Sequence, residues 1–399
     1  MTTSTSTAPF SIVCLSSQDW HSALPTNRQQ IMLRAAAAGH EVVFVETGRF
    51  LGHHLWELVT GNRRRSLARR LLTGERAAPN IVVRKALNLA PRAQSSPLAN
   101  AVNSATTALL VRRLLHKLPQ PTAIWLYDPC VAGALRWTNG TPVAYDCVDD
   151  YVEQVGDDQR RRRVVAAGDE RAATHSRLVF TTSRFLQAKQ LRRNPRTHLV
   201  RNVGDFAHFA PAADRRHCAR ELIDLRRPVL GFAGNLLAGK VDFELIAEVA
   251  RARPDWTFLL VGPAHSDTQD AVKSLARLPN VRWAGPQQYA KLPPFVAAFD
   301  VGLIPYLDNA YTRSCFPLKL FEYLAAGKPV VASGLPELAG MEPDVQLAAG
   351  PAEFERRVEI ALRLLDSEGC DRRQAIAAAN TWESRAATQL QLMQSELEV

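Results

Sequence analysis

The 399-residue sequence has no pair of neighbouring cysteines, no long apolar run and no basic amino-terminal segment. Its six cysteines are scattered without a CxxC pair, which argues against a disulfide framework or a zinc site. Residues 1–9 are polar and uncharged, so we expect neither a signal peptide nor a membrane-spanning helix. Together these absences predict a reduced, cytoplasmic protein.

Lysine is also scarce, since only eight of the 49 basic residues are lysines. The net charge is nevertheless +10, and residues 61–76 hold six arginines against one glutamate. Such an excess predicts an acidic partner, which is a nucleic acid, an anionic membrane or a phosphorylated substrate. Charge alone does not choose among the three.

Short β-branched runs alternate with helical stretches along the chain, which predicts an α/β protein with parallel sheets covered by helices. The length favours two domains, and residues 204–227 are the predicted linker. The predicted strands are 11–15, 41–45, 81–83, 123–126, 143–147 and 178–181, then 229–233, 257–261, 281–283, 301–304 and 330–332. The predicted helices are 28–38, 97–118, 158–175, 243–252, 269–276, 289–299 and 318–326.

The segment 313–335 predicts an anion-binding helix, which starts near Pro317 and ends at Gly327. Lys319 and Glu322 are three residues apart and therefore share one side of this helix. The lysine reinforces the attraction of a helix amino terminus for anions, and the carboxylate can accept hydrogen bonds from two ribose hydroxyls. The alternative is an exposed ion pair on a solvated helix.

The segment 231–242 follows a predicted strand and contains a glycine-rich turn. Gly231 and Gly234 allow backbone amides to approach a ligand, and Lys240 is placed to meet a diphosphate beyond the turn. The segment matches neither the dinucleotide-binding fingerprint nor the Walker loop. A plain strand-to-helix turn therefore remains the alternative.

Three acids cluster at the end of the predicted strand 143–147, namely Asp146, Asp149 and Asp150. Such a cluster supplies a general base, binds a metal or orients the hydroxyls of an acceptor. Helix capping and solvated turn acids explain it equally well. Metal binding is the least favoured reading, because no histidine or further acid lies close in sequence.

The loop after the first predicted strand contains Asp19, Trp20, His21 and Arg28, at a position where a doubly wound domain binds ligands. These side chains predict a ligand-binding loop. The alternative is a connector in which Trp20 packs on the domain and Asn27 caps the next helix.

Taken together, these segments resemble the retaining family-4 glycosyltransferases of the GT-B fold, and within that family the bacterial enzymes of teichuronic-acid and exopolysaccharide assembly. The shared order of the motifs along most of the chain carries the resemblance. The motifs are VVFVE, VAYDCVDD, VFTTSRFL, NVGDFAHF, GFAGNLLAGKVD, RPDWTFLLVGP, LPNVRWAGPQQYAKLP, FDVGLIPY and NTWESRA.

This resemblance implies two Rossmann-like parallel-sheet domains that face a central cleft. It assigns residues 1–205 to an amino-terminal acceptor domain and residues 206–380 to a carboxyl-terminal domain that binds the nucleotide-sugar donor. A carboxyl-terminal helix at 381–399 is expected to pack back on the first domain.

The resemblance also assigns roles to individual residues. Lys240 contacts the donor diphosphate and Glu322 the donor ribose, while Ser314 replaces the first acid of the family's Glu-x7-Glu motif and leaves the transferred sugar unspecified. Asn235 lies near the place of a missing arginine, for which Lys319 compensates. The implied donor-binding set is Gly234, Asn235, Lys240, Ser314, Lys319 and Glu322.

On the acceptor side, Asp149 takes the place of the family's usual histidine, so the implied catalytic residues are Asp149 and Lys240. The remaining acceptor-side residues are Asp19, Trp20, His21, Arg28, Asp146 and Asp150. The resemblance further implies retention of anomeric configuration by same-face attack, with no metal and no other cofactor.

The implied activity is transfer of a sugar from a nucleoside-diphosphate sugar to a saccharide or lipid-linked acceptor in cell-surface polysaccharide synthesis. Leucines and a tryptophan precede the arginines of 51–72, which predicts peripheral binding to the inner face of an anionic plasma membrane. A solvated basic helix is the alternative for that segment. The rival functions are a nucleotide-sugar epimerase, an inactive scaffold and, ranked last because no recognition helix or stacking sheet is visible, a nucleic-acid binder.

Overall fold

The computed structural model describes residues 8–22, 25–48, 69–138 and 140–398. These residues form two compact units. The first unit draws on residues 1–201 and 385–399, and the second on residues 202–384. Each unit is built around one sheet with helices on its faces.

The first unit contains a sheet in the order β3-β4-β2-β1-β5-β6-β7-β8. All neighbouring strands are parallel except β3 and β4. The strands are β1 Ser11–Ser16, β2 Glu41–Glu46, β3 Glu75–Ala78, β4 Ile81–Lys85, β5 Thr122–Leu126, β6 Val143–Cys147, β7 Leu178–Thr181 and β8 Thr197–Leu199. Strands β1, β5, β6 and β7 are buried along their whole length, as expected for parallel strands covered on both faces.

The helices that accompany this sheet include α1 Asn27–Ala37, α2 Pro97–Leu115, α3 Tyr151–Gln154, α4 Gln159–His175 and α5 Arg184–Leu191. A 3₁₀-helix, Pro129–Trp137, follows β5. The start of α2 shows why the sequence begins a helix there: Pro97 occupies the first turn and the Ser96 hydroxyl accepts a hydrogen bond from the Ala99 amide.

The second unit contains a wholly parallel sheet in the order β11-β10-β9-β12-β13-β14. Its strands are β9 Val229–Ala233, β10 Thr257–Val261, β11 Val281–Trp283, β12 Val301–Pro305, β13 Val330–Ser333 and β14 Val345–Ala348. The chain leaves β9 toward β10 on one side and leaves β12 toward β13 on the other. The carboxyl ends of β9 and β12 therefore form a topological switch point, where open α/β sheets bind ligands.

The second unit also supplies nine helices to the described chain. They are α6 Phe206–Phe209, α7 Phe243–Ala252, α8 Gln269–Leu275, α9 Leu292–Val296, α10 Ala310–Arg313, α11 Lys319–Ala325, α12 Pro351–Leu362, α13 Ser367–Ala379 and α14 Trp382–Leu397. The last of these begins in the second unit, and from residue 385 onward it belongs to the first.

The structure confirms every predicted strand and adds three that were missed, β3, β8 and β14. The predicted helix 289–299 is shorter than expected, because a 3₁₀ turn precedes α9. The predicted linker 204–227 is not extended but contains α6 and three 3₁₀ turns. No helix in the described ranges is long and apolar enough to cross a bilayer.

Gly231 does not have the predicted ligand-facing role. It lies inside β9, and a β-carbon there would overlap the ring of Phe299. The glycine is required because it makes room for that buried aromatic side chain, so its function is packing within the sheet.

Candidate functional site

Gly234 follows β9 at the switch point of the second unit and has a φ of +147°, a conformation that favours glycine. Its amide donates a 2.8 Å hydrogen bond to the Val261 carbonyl, which ties the turn to the end of β10. A β-carbon at this position would overlap the side-chain end of Lys319. Gly234 therefore allows the Lys319 ammonium group to lie against the backbone at the carboxyl end of β9.

Aromatic residues contact both lysines of this region, and Tyr306 contacts each of them. The Lys319 Nζ is 3.3 Å from the Tyr306 hydroxyl and 5.0 Å from the ring centre of Phe232. The Lys240 Nζ lies 5.2 Å and 5.1 Å from the ring centres of Tyr306 and Tyr311. Because ring faces attract cations, the aromatic residues fix two positive charges beside the strand ends.

The turn that carries Lys240 is tied to the end of β12. The Asp242 amide donates a 2.8 Å bond to the Pro305 carbonyl, and the Leu307 amide donates a 2.9 Å bond to the Lys240 carbonyl. The Asp242 carboxylate then caps α7 by accepting a bond from the Leu245 amide. Lys240 consequently projects from a turn with defined backbone positions on both sides.

Glu322 lies one turn into α11 and is partly exposed. Loss of hydration raises the pKa of this carboxyl to about 7, an effect that Lys319 opposes and Asp205 strengthens. Lys319 contacts Tyr306 instead of forming an ion pair with Glu322, so the predicted alternative of an exposed ion pair is wrong. Within the described ranges, no group donates a hydrogen bond to this carboxylate, which leaves its oxygens available to a ligand.

Two other predicted donor residues have different positions. Ser314 is fully buried at the end of α10, and its hydroxyl donates a 2.7 Å bond to the Tyr311 carbonyl. Its side chain therefore faces the interior, which contradicts a donor-binding role for that hydroxyl. Asn235 is exposed directly after Gly234 and keeps its predicted role as a prediction.

A pocket of about 670 Å³ lies in the second unit between α7, α12 and the ends of β12, β13 and β14, and Tyr306 is part of its lining. Five carboxylates line it, against one arginine, Arg313, which is paired with Asp308. The carboxylates belong to Asp242, Glu244, Glu248, Asp308 and Glu353. Because this lining repels anions, the lysine side of the switch point is the better place for a diphosphate.

The acidic cluster of the first unit is mainly structural. Asp146 is fully buried and accepts bonds from Arg385 at 3.3 Å and Gln389 at 3.0 Å, both on α14. Asp150 is also buried, caps α3 and pairs with Lys189 at 2.8 Å. The predicted acceptor-side roles of Asp146 and Asp150 are therefore wrong, because existing bonds occupy their oxygens.

Asp149 differs from its two acidic neighbours in being partly exposed. It lies near Arg28 and Tyr151. Burial lowers the pKa of Arg28, but Tyr151 and, by a smaller amount, Asp149 raise it, and the net result is a pKa above the ordinary value. The Arg28 guanidinium donates to the Tyr151 hydroxyl at 3.3 Å and lies 5.6 Å from the ring centre of Tyr127. The structure therefore brings Asp149 and Arg28 together at the ends of β1, β5 and β6.

The first loop is anchored by the buried Glu46 at the end of β2. The Trp20 amide donates a 2.9 Å bond to Glu46, and the Trp20 ring packs edge-on against Phe44 at 5.0 Å. Lys85 lies 3.0 Å from Glu46 and 3.6 Å from Asp19. This packing matches the alternative given for Trp20, so its indole has a structural contact as well as a place in the loop.

Two further positions in this loop are resolved by the structure. His21 is exposed, and its acceptor-side role stays a prediction. Asn27 is not the cap of α1, because Thr26 occupies the cap and forms a reciprocal capping box with Gln29.

Sequence reasoning missed the aromatic residues Tyr127, Tyr151, Tyr306 and Tyr311. Each follows a strand or lies at the start of a helix near a strand end. This position is a signal that could have been found in the sequence, because ligands bind at the carboxyl ends of the strands. Among the described residues, no group of three or more histidines, cysteines or acids is arranged to hold a metal ion.

Comparison with known proteins finds that parts of this chain are similar to glycosyl transferases. Residues 227–366 match the family model described as Glycosyl transferases group 1. Over 224 residues the chain is 33% identical to the Bacillus subtilis protein assigned as the teichuronic acid biosynthesis glycosyltransferase TuaH, covering 54% of this chain and 55% of that protein. It is 30% identical over 177 residues to a GDP-mannose-dependent alpha-mannosyltransferase of Mycolicibacterium smegmatis, covering 44% and 40%. The chain thus spans about half the length of the curated relatives it matches.

Solved structures extend the likeness to almost the whole chain. Sucrose-phosphate synthase of Thermosynechococcus elongatus has a TM-score of 0.75 at 18% identity and covers 98% of this chain and 99% of its own. Anabaena HepE, solved with UDP-glucose, has a TM-score of 0.65 at 19% identity and covers 96% and 99%. At these identities the likeness shows the fold, and it confirms the predicted α/β architecture of the GT-B type.

Proposed function

Because residues 227–366 form a Glycosyl transferases group 1 domain within a GT-B fold, we propose that the chain is a glycosyltransferase. It moves a sugar from a nucleoside-diphosphate sugar to a saccharide acceptor in polysaccharide biosynthesis. The supporting observation is the arrangement of Lys240, Lys319 and Glu322 beside the open turn at Gly234. By their names, one relative acts in teichuronic acid biosynthesis and the other uses GDP-mannose. These names support a nucleoside-diphosphate sugar as the donor here.

In this proposal the two lysines bind the diphosphate of the donor. Both ammonium groups are held at the strand ends by Tyr306, so their positions are set before the ligand arrives. Positive charges fixed in advance stabilise the charge that develops on the departing nucleoside diphosphate, without the cost of rearrangement during the reaction. Lys240 and Lys319 thus serve both binding and leaving-group departure, and we propose that no metal is needed.

Glu322 holds the ribose in the same proposal. Its ionised carboxylate accepts hydrogen bonds from two neighbouring hydroxyls, and no protein group competes for it in the described chain. Because the pKa of Glu322 is about 7, donor binding should strengthen as the pH rises through neutrality. Such a pH dependence would connect the ionisation of Glu322 with the affinity for the nucleotide.

The acceptor belongs with the first unit in this proposal, near Asp149 and Arg28. We assign Asp149 to orienting the acceptor hydroxyl, and Asp19 and His21 to contacts in the adjoining loop. Retention by same-face attack, with the leaving phosphate taking the acceptor proton, is proposed from the resemblance to family-4 enzymes. A lipid-linked acceptor and a cell-surface product are proposed on the same basis.

The experiment that tests the donor site is calorimetric titration of the full chain with UDP, GDP, ADP and TDP. We expect one nucleotide to bind selectively, and both Lys240→Ala and Glu322→Ala to weaken that binding at least tenfold. Lys273→Ala and Glu368→Ala are matched controls, since both residues are exposed in the same unit. Failure of all four nucleotides to bind would contradict the proposal.

A second candidate is a donor-binding protein that does not transfer the sugar. The buried Ser314, in place of the family's first acid, is the observation that favours it. Product analysis with donor and acceptor separates the two functions, because the second predicts binding with no new glycoside. Formation of an altered nucleotide sugar from donor alone would instead indicate an epimerase.

Peripheral attachment to a membrane through residues 51–72 is also part of the proposal. Residues 51–68 lie outside the described residues, while Leu72 is exposed at the end of the segment. Vesicle binding by the intact chain tests this attachment, and its salt sensitivity tests the role of the arginines.

A further inference from the structure

One face of the first unit combines exposed apolar side chains with arginines. Along α2, Leu98, Val102 and Leu109 are 77%, 40% and 60% exposed. Their spacing places them on one stripe of the helix, roughly 16 Å long, and the stripe ends beside the exposed Arg112 and Arg113. Folding leaves this stripe in contact with water, which is unfavourable unless another surface covers it.

Trp137 lies at the end of the 3₁₀-helix that packs against α2 and is 48% exposed. Its side chain lines two grooves. A groove of about 200 Å³ includes Arg136, Arg163 and Arg171, and a groove of about 150 Å³ includes Arg112. No carboxylate from the described chain lines either groove, so the charge of the face is strongly positive.

We propose that the exposed stripe of α2 and the neighbouring arginines form one surface, the arginine–leucine face (Leu98, Leu109, Arg136, Trp137, Arg163 and Arg171), and that this face binds the surface of an anionic phospholipid bilayer. A bilayer suits all three features at once: aliphatic side chains enter the acyl boundary, an indole ring sits at headgroup level, and guanidinium groups meet lipid phosphates. A nucleic acid would use the arginines but would leave Leu98 and Leu109 in water. The combination therefore favours lipid over nucleic acid.

The proposal concerns described residues 97–171 and is independent of the donor site in the other unit. It is also separate from the segment 51–72, whose membrane role rests on sequence alone. If both attach to the bilayer, each contributes its own share of the affinity, so variants in the two regions report on different surfaces.

The test is cosedimentation of the full chain with phosphatidylcholine vesicles that contain half phosphatidylglycerol. We expect the variant Arg136→Gln/Arg163→Gln/Arg171→Gln to bind about a hundredfold more weakly, since each arginine near an anionic surface contributes roughly a factor of five. The matched control replaces three exposed arginines of the other unit, as Arg277→Gln/Arg356→Gln/Arg363→Gln. The control should bind like the wild type.

Apolar variants distinguish a bilayer from another polyanion. Trp137→Ala and Leu98→Ser/Leu109→Ser should each weaken vesicle binding several-fold, without lowering the unfolding temperature by more than a few degrees. If these variants bind vesicles like the wild type and a short DNA duplex displaces the protein, the face is a polyanion site and the proposal fails.

Two further outcomes would overturn the proposal. The first is equal vesicle binding by the arginine triple variant and its control. The second is complete loss of binding in Arg63→Gln/Arg64→Gln/Arg65→Gln, together with unchanged binding in the triple variant. Either result would place the lipid contact outside this face.

Discussion

The charged residues near the strand ends differ between the two units in the contacts that they make within the protein. In the first unit, Asp146 and Asp150 form hydrogen bonds and ion pairs within the protein, and both are buried. In the second unit, Lys319 is held by a ring and a hydroxyl, and Glu322 accepts no hydrogen bond from the described chain. Aromatic contacts position a cation without neutralising its charge. A carboxylate partner neutralises the cation, so the pair attracts an anionic ligand less strongly.

This comparison explains why an acidic cluster is weaker evidence for a site than a lysine among aromatic residues. Adjacent acids at a strand end are well suited to capping the next helix and pairing with neighbouring arginines. A cation that is positioned without a carboxylate retains its attraction for an anionic ligand.

The largest effect is expected for Asp146→Ala. Removal of this carboxylate breaks the buried ion pair with Arg385, so the free energy of unfolding should fall by about 3–5 kcal/mol. Urea denaturation measures the loss, with the exposed Asp157→Ala as the control. Unchanged stability with loss of transfer activity would instead restore an acceptor role for Asp146.

The next effect concerns Asp149, the partly exposed acid of the same cluster. If it orients the acceptor hydroxyl, Asp149→Asn should lower the rate of transfer by about a hundredfold or more and leave the affinity for the nucleotide unchanged. Steady-state rates with a saccharide acceptor, combined with donor titration, check both parts. A normal rate would show that all three acids are structural.

Glu322→Gln should change both binding and stability in a manner that depends on pH. The raised pKa of about 7 means that the ionised form is disfavoured in the folded chain, a penalty absent below about pH 4.5 and complete above pH 7. The variant should therefore be more stable than the wild type at pH 8, by at most about 3 kcal/mol given the partial exposure, and equally stable at pH 4.

For nucleotide binding, the same variant should be about tenfold weaker at pH 8 and nearly equal to the wild type at pH 5.5. The ionisation of the nucleotide's own phosphate cancels in this comparison, because both proteins meet the same ligand. Calorimetry at the two pH values measures the difference. No loss of affinity at either pH would argue that the carboxylate does not contact the ribose.

The smallest effect is expected for Tyr306→Phe, which removes the hydroxyl near Lys319 and keeps the ring near Lys240. Loss of one hydrogen bond should weaken diphosphate binding three- to tenfold, and Tyr306→Leu should weaken it further. In a Lys319→Met background the effect of Tyr306→Phe should vanish. Additive losses would show that the tyrosine supports the fold and does not position the lysine.

Much of the fold was predictable because parallel strands covered on both faces leave an apolar run in the sequence. The missed strands lack this signal: β3 (Glu75–Ala78) is an antiparallel edge strand of sequence ERAA, and β8 (Thr197–Leu199) has only three residues. The predicted helix at 318–326 was correct to within one residue at each end, because Gly327 ends it as expected.

The site was predictable in part. The positions of Lys319 and Glu322 on one helix followed from their spacing, and Lys240 followed from the turn after a strand. The contacts of Tyr306 with both lysines did not, because they join residues far apart in the sequence. The burial of Asp146 was equally invisible, since its partners lie on α14, more than 200 residues away.

A crystal structure of the full chain with the nucleotide that binds in the titration would show whether the donor occupies the lysine site. We expect the diphosphate within hydrogen-bond distance of Lys240 and Lys319, and two ribose hydroxyls on the Glu322 carboxylate. A nucleotide in the acidic pocket between α7 and α12, or at the strand ends of the first unit, would contradict it.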